Sequence, residues 1–154
     1  SSDFPTLNPF DGTANGSSDV FLTKFATGGN SLVYSTYIGG SGVDFARDVD
    51  EGSFGEVSIA GSTTSTNFPL SNAFDSTLGG TKDAFFCRVL SNGSGLIISA
   101  YIGGSGSEDA FVVPGLAAKR APTNSALRSA IHSSHLRLSR LRHRSPTTQC
   151  ICRP

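Results

Sequence analysis

Tyr37-Ile38-Gly39-Gly40-Ser41-Gly42 recurs unchanged as Tyr101-Ile102-Gly103-Gly104-Ser105-Gly106. A shift of 64 positions aligns residues 1–42 with 65–106 without a gap. Phe4-Pro5 falls on Phe68-Pro69, Phe10-Asp11 on Phe74-Asp75, Asp19 on Asp83, Phe21 on Phe85 and Leu32 on Leu96. In all, 19 of the 42 aligned positions are identical. Ordinary residue frequencies give about 5–7%, so the chain contains a true internal repeat, and a repeat dictates architecture.

Each copy reads as short strands between turns. Asp19-Val-Phe-Leu-Thr-Lys-Phe25 places Phe21, Thr23 and Phe25 on one face and Val20, Leu22 and Lys24 on the other. Its counterpart sets Phe85, Cys87 and Val89 against Ala84, Phe86 and Arg88. Both faces are largely apolar, the pattern of strands covered on each side. A Gly-containing turn (Gly28-Gly29-Asn30, then Asn92-Gly93-Ser94-Gly95) leads into strands over 32–38 and 96–102, which predicts a hairpin in each copy. Two further strands, over 45–50 and 56–62, are joined by Glu51-Gly52-Ser53-Phe54-Gly55. A polar loop over 63–82 follows. One period is thus four strands, and residues 1–113 show no sustained helical periodicity.

Four antiparallel strands per repeat predict an all-β fold of β-propeller blades. A sandwich rarely carries so regular a repeat, and a solenoid usually has a shorter one. If the strands at Phe45 and Glu56 open a blade, those at Asp83 and Leu96 complete it, and 19–38 supplies the last two strands of the blade before. About one and a half blades are present, a fragment, because closed propellers need roughly 4–8.

The residues from Asp19 to Gly42, with Ile59-Ala-Gly-Ser-Thr-Thr-Ser-Thr-Asn-Phe-Pro69, resemble the SBBP-type β-propeller repeat family. The resemblance spans residues 1–112. It implies a blade of a secreted or cell-surface, mainly bacterial protein, with the remaining blades in a larger chain. The family supplies no general catalytic motif to carry over.

The formal net charge of zero conceals a division. Residues 1–113 hold all 12 acids and only four of the bases, a net −8, while 114–154 holds eight bases and no acid, a net +8. Every aromatic precedes residue 112. Two regions follow: 1–113, the repeat, and 114–154, a basic tail. The tail reads as a disordered or weakly helical solvated segment. Its abrupt change of composition also suits a change of reading frame. A helix through Leu127, Ile131, His135 and Leu138, beside Arg137, Arg140, Arg142 and Arg144, is a lesser reading. It would bind nucleic acid or an anionic membrane surface. No apolar run approaches the roughly 20 residues of a membrane helix. The opening Ser1-Ser2-Asp3-Phe4-Pro5 has no initiator Met and no signal-peptide pattern, as in an internal fragment or a chain whose leader was removed.

Four constellations invite a chemical reading, and each has a plainer one. His132-x-x-His135 with Cys150-x-Cys152 offers zinc-ligand types, but the spacing fits no common structural site. Asp48, Asp50, Glu51, Ser53 and Glu56 crowd a Gly turn as in calcium loops, yet lack the regular third acid, so a polar hairpin is the reading kept. The two Gly-Gly-Ser-Gly stretches lack a P-loop Lys and a following helix, and read as inter-blade turns rather than phosphate cradles. Cys87 replaces Thr23 in the repeat and reads as an inert buried thiol. With all three His in the tail, no Ser/His/Asp set is legible.

The reading is therefore a noncatalytic repeat module without catalytic, metal or cofactor residues, serving as scaffold or as a surface for an unknown protein or carbohydrate ligand. The loop over 63–82 is the expected contact region. The alternatives are part of a propeller enzyme whose catalytic residues lie in other blades, or a tail that binds nucleic acid or membrane.

Overall fold

A computed structural model describes residues 3–110. The tail from 114 onward, with its helical, zinc and nucleic-acid readings, lies outside the described residues. Among those described, the fold is all-β without helices. The strands are β1 (Val20–Phe25), β2 (Leu32–Ile38), β3 (Asp44–Glu51), β4 (Val57–Thr63), β5 (Asp83–Val89) and β6 (Leu96–Ile102). They fall within one or two residues of the expected positions.

Two antiparallel sheets result: β1–β2, and a four-stranded sheet in the order β3-β4-β5-β6. Within each sheet the paired strands are consecutive in the chain, joined by tight turns except that β4 reaches β5 through the long loop, while the short 39–42 turn carries β2 to β3 in the other sheet. The register sets Val57 opposite Val89, Ile59 opposite Cys87, Gly61 opposite Phe85 and Thr63 opposite Asp83. Gly61 is required there, since a Cβ would stand 2.0 Å from the Phe45 carbonyl oxygen of β3 and 2.7 Å from Cε1 of the Phe85 ring.

The repeat is as visible in the hydrogen bonds as in the residues. Leu7 bridges Ser35 as Ser71 bridges Ser99, and Ser18 bridges Val43 as Lys82 bridges Ser107. The β1–β2 pair is irregular between Lys24 and Phe25, and the β5–β6 pair between Arg88 and Val89. Asn8 and Asn72 both take left-handed backbone angles (φ 45° and 47°), which Asn tolerates better than most residues.

The two sheets pack face to face. Val20, Leu22, Tyr34 and Ile38 of the smaller sheet form one core with Val57, Ile59, Phe85, Cys87, Val89 and Tyr101 of the larger, and Phe68 of the loop joins them. Each large apolar side chain buried there contributes about 1.5–3 kcal/mol. The Tyr34 ring crosses to the β5–β6 turn and fills the space beside Gly93, which takes φ +74°.

The chain path sorts the connections by end. The hairpin turns β1–β2, β3–β4 and β5–β6 lie at one end of the sheets. The other end gathers the 39–42 turn, the 103–106 turn and the long loop where it leaves β4 and enters β5.

Candidate functional site

The 39–42 turn carries the chain from the two-stranded to the four-stranded sheet. Its glycines allow close approach, and the loop after β4 closes on it. Asn67 Oδ1 accepts from the Ser41 N–H and hydroxyl (2.8 and 2.9 Å), and Ser65 Oγ accepts from the Gly42 N–H (2.8 Å). Thr64 Oγ1 accepts from the Val43 N–H and Asp44 Oδ2 from the Gly40 N–H, each at 2.8 Å. The amides that a phosphate cradle would offer are consumed by the chain's own side chains. The turn is a structural joint between sheets.

Asp44 organises this joint. It is fully buried, and both carboxylate oxygens accept hydrogen bonds, Oδ1 from the Thr63 hydroxyl and Oδ2 from the Ser65 hydroxyl (2.8 Å) as well as from Gly40. Among the described residues no cationic side chain stands beside it, and its burial is tolerated because three donors converge on the carboxyl oxygens.

Asp19 stands on the other side of Gly39. Asp19 Oδ1 lies 2.6 Å and Asp44 Oδ2 2.9 Å from the point a Gly39 Cβ would occupy, so only glycine fits between the carboxylates. Asp19 Oδ2 accepts from the Asn15 N–H (2.6 Å), while the buried Oδ1 has no hydrogen-bond partner among the described residues. Burial pushes this carboxyl above its ordinary value. The Asn15 and Gly16 amides oppose that rise, and Asp44 and Asp11 add to it. Asp83, its repeat counterpart, is fully buried in the same posture, with Oδ2 on the Gly79 N–H (2.9 Å) and Oδ1 unpartnered.

Two acids flanking the β3–β4 turn, Glu51 and Glu56, have cation partners. Lys24 pairs with Glu51 at 2.8 Å and donates to the Gly55 carbonyl, and Arg88 pairs with Glu56 across the sheet. Glu56 also accepts from the Phe54 N–H at 3.0 Å, bracing the turn. This is the polar hairpin of the sequence reading. Asp48 is held above its ordinary value chiefly by burial.

Cys87 is a fully buried thiol in mid-strand, opposite Ile59 and Ser99. Among the described residues, no three His, Cys, Asp or Glu side chains gather to hold a metal ion, and no helix is long and apolar enough to cross a membrane. His132, His135, Cys150 and Cys152 lie outside the described residues.

The loop over 63–82 is more deeply engaged than its polar composition suggests. Thr64, Ser65 and Asn67 grip the turn, Phe68 is in the core, and Ser71 and Asp75 hydrogen-bond β6 through their backbones. Exposed at this end of the sheets are Ser41, Thr66, Asn67, Thr81, Ser105 and Ser107, beside the partly exposed ion pairs of Asp109 with Lys82 and Arg47. Composition marked the loop, but not which of its residues turn inward. The one sequence signal was the recurrence of Asp19 as Asp83 beside a Gly-Gly-Ser-Gly turn.

Comparison with protein-family models, with curated proteins and with solved structures finds no match to this chain.

Proposed function

We propose that the chain is a noncatalytic β-propeller repeat module of a secreted or cell-surface protein. In this reading β3–β6 is one blade, β1–β2 ends the blade before it, and further blades belong to a larger chain. The resemblance to SBBP-type repeats supports it, as do the strand order within the four-stranded sheet and the isolated bridges that recur 64 positions apart. The module acts as a scaffold that presents a binding surface to a protein or carbohydrate.

The observation that carries the binding reading is the end of the sheets where the glycine turns meet the loop. Its backbone is tied by buried donors and acceptors, and its outer rim is chiefly hydroxyl and amide, with the Lys82, Asp109 and Arg47 charges paired beside it. Such a rim pairs with the hydroxyls of a sugar or the backbone of a peptide.

The test is a binding screen of the purified chain on arrays of glycans and peptides, repeated with Thr66→Lys and Thr81→Lys. Saturable binding that these rim variants abolish, with circular dichroism unchanged, supports the reading. Turnover of a bound glycan would replace it with the enzyme alternative.

A further inference from the structure

Two buried carboxylate oxygens at repeat-related positions, Asp19 Oδ1 and Asp83 Oδ1, have no hydrogen-bond partner among the described residues. We propose that each, with the carbonyls of the Gly-Gly-Ser-Gly turn that follows its hairpin, binds a calcium ion.

The first site is built around Gly16. Asp19 Oδ1 and the carbonyl oxygens of Gly40 and Gly42 all lie no farther than 2.9 Å from the point where a Gly16 Cβ would stand. Three oxygens thus gather on a scale close to a calcium shell, about 2.3–2.6 Å in radius. The Gly42 carbonyl accepts from the Ser17 N–H at 2.9 Å and keeps a second lone pair. Asp44 Oδ2 stands across Gly39 but already accepts from Ser65 and Gly40, so Asp44 brings negative charge rather than a ligand. Asp44 and Asp11 both repel the Asp19 charge, and a bound dication offsets that repulsion. The set holds one ligating carboxylate and two backbone carbonyls, so it is not a cluster of acidic side chains.

The repeat builds the arrangement again. Gly80, Asp83, Gly104 and Gly106 stand 64 positions beyond Gly16, Asp19, Gly40 and Gly42. The Gly104 and Gly106 carbonyl oxygens lie no farther than 3.0 Å from the point a Gly80 Cβ would occupy. Asp83 Oδ1 is 2.6 Å from the Gly103 Cβ point, as Asp19 Oδ1 is from that of Gly39. Asp83 is wholly buried, which denies its unpartnered oxygen solvent. A carboxylate oxygen left unsatisfied in the interior is costly. The same cost at the same place in both copies points to a ligand that each copy takes.

Oxygen-only ligands select a hard cation. Calcium accepts about 6–8 oxygens in flexible geometry, whereas magnesium demands a near-ideal octahedron. Asn15, Ser17 and Ser41 are exposed beside the first site, leaving an entry for the ion and the waters that complete its shell. So few protein ligands place the affinity at about 10⁻⁴–10⁻³ M. The inference needs only the two turns and stands whether or not the repeat-module reading holds.

The probe is calcium chloride, titrated at neutral pH into the isotope-labelled full chain and followed by amide chemical shifts, with sodium chloride of equal ionic strength as reference. The expected result is saturable change confined to residues 15–19 and 39–44 and to 79–83 and 103–108, with a midpoint on the order of 10⁻⁴–10⁻³ M. Asp19→Asn should weaken binding at the first site at least about tenfold while the second still responds. Asp83→Asn should do the reverse. The strand amides of each variant in calcium-free buffer should match the parent, which separates loss of the ion from loss of the fold. No saturable change by about 10 mM calcium, the same shifts with sodium chloride, or undiminished binding by Asp19→Asn would overturn the proposal. An Asp19 carboxyl that merely holds a proton gives the first of these results.

Discussion

The Tyr101 hydroxyl donates to the Ser65 carbonyl at 2.6 Å and accepts from the Phe68 N–H at 3.1 Å, so one buried side chain of β6 pins the loop that leaves β4. Burial raises this phenol above its ordinary value, which keeps it protonated as the donor. Tyr101→Phe leaves a buried carbonyl and amide unpaired and should cost about 1–3 kcal/mol. Urea unfolding should show a lower midpoint with an unchanged slope. An unaltered midpoint would mean that water replaces the hydroxyl.

The repeat supplies its own control for core packing. Phe68 lies 4.5 Å from Phe85, ring to ring, and is buried, while Phe4 meets Phe21 but is half-buried. Phe68→Ala should cost about 3–5 kcal/mol. Phe4→Ala should cost about half as much, because less of its area leaves water on folding. Equal losses would show that burial does not separate the two copies.

Gly29 and Gly93 form a second matched pair. Alanine at either incurs the left-handed backbone penalty of about 1–2 kcal/mol. Only at Gly93 does the new Cβ also collide with the Tyr34 ring. Thermal melts should rank wild type above Gly29→Ala and Gly29→Ala well above Gly93→Ala, the second gap being about 1–3 kcal/mol.

Asp44 should tolerate little. In Asp44→Asn an amide NH2 must face at least one of the donors supplied by Thr63, Ser65 and Gly40. The expected loss is about 1.5–3 kcal/mol, measured by denaturation at neutral pH. Protection of the Gly40 and Gly42 amides from hydrogen exchange should fall with it.

Asp19 gives the chain a pH response of definite sign. Its folded-state value is raised above the ordinary 3.8, mainly by burial. Its contribution is therefore full below that value and is lost as pH rises through the raised one. Asp109 runs the other way. The Lys82 hydrogen bond holds it low, assisted by Ser62, so its contribution is lost as pH falls. Asp19→Asn should be more stable than the parent at neutral pH and should flatten the decline above about pH 4, as read from urea midpoints across that range. Asp48, also raised by burial, leaves a residual slope. A variant less stable at neutral pH would mean that the Asp19 charge is paired after all.

The strands and their order were legible because two local signals agreed. Period-two alternation marked Val20–Phe25 and Asp83–Val89, and glycine turns set which strands were neighbours. The joint was not legible. Thr64, Ser65 and Asn67 look like solvated loop residues in sequence, and only long-range hydrogen bonds to the 41–43 amides give them an inward role. Asp44 likewise reads as the polar end of a strand, and its burial depends on donors some twenty positions away.

The sequence by itself determined the repeat, the all-β class, the pairing of the hairpins and the division of charge at residue 113, since periodicity, turn chemistry and composition are local properties of the chain. Tertiary structure alone decided which polar groups are buried and that only glycine fits between the Asp19 and Asp44 carboxylates. Those depend on what a distant segment brings to a given face. The identical Tyr-Ile-Gly-Gly-Ser-Gly stretches illustrate the difference: at 39–42 the turn is gripped by the loop of the following repeat unit, which no reading of the six residues alone could reveal.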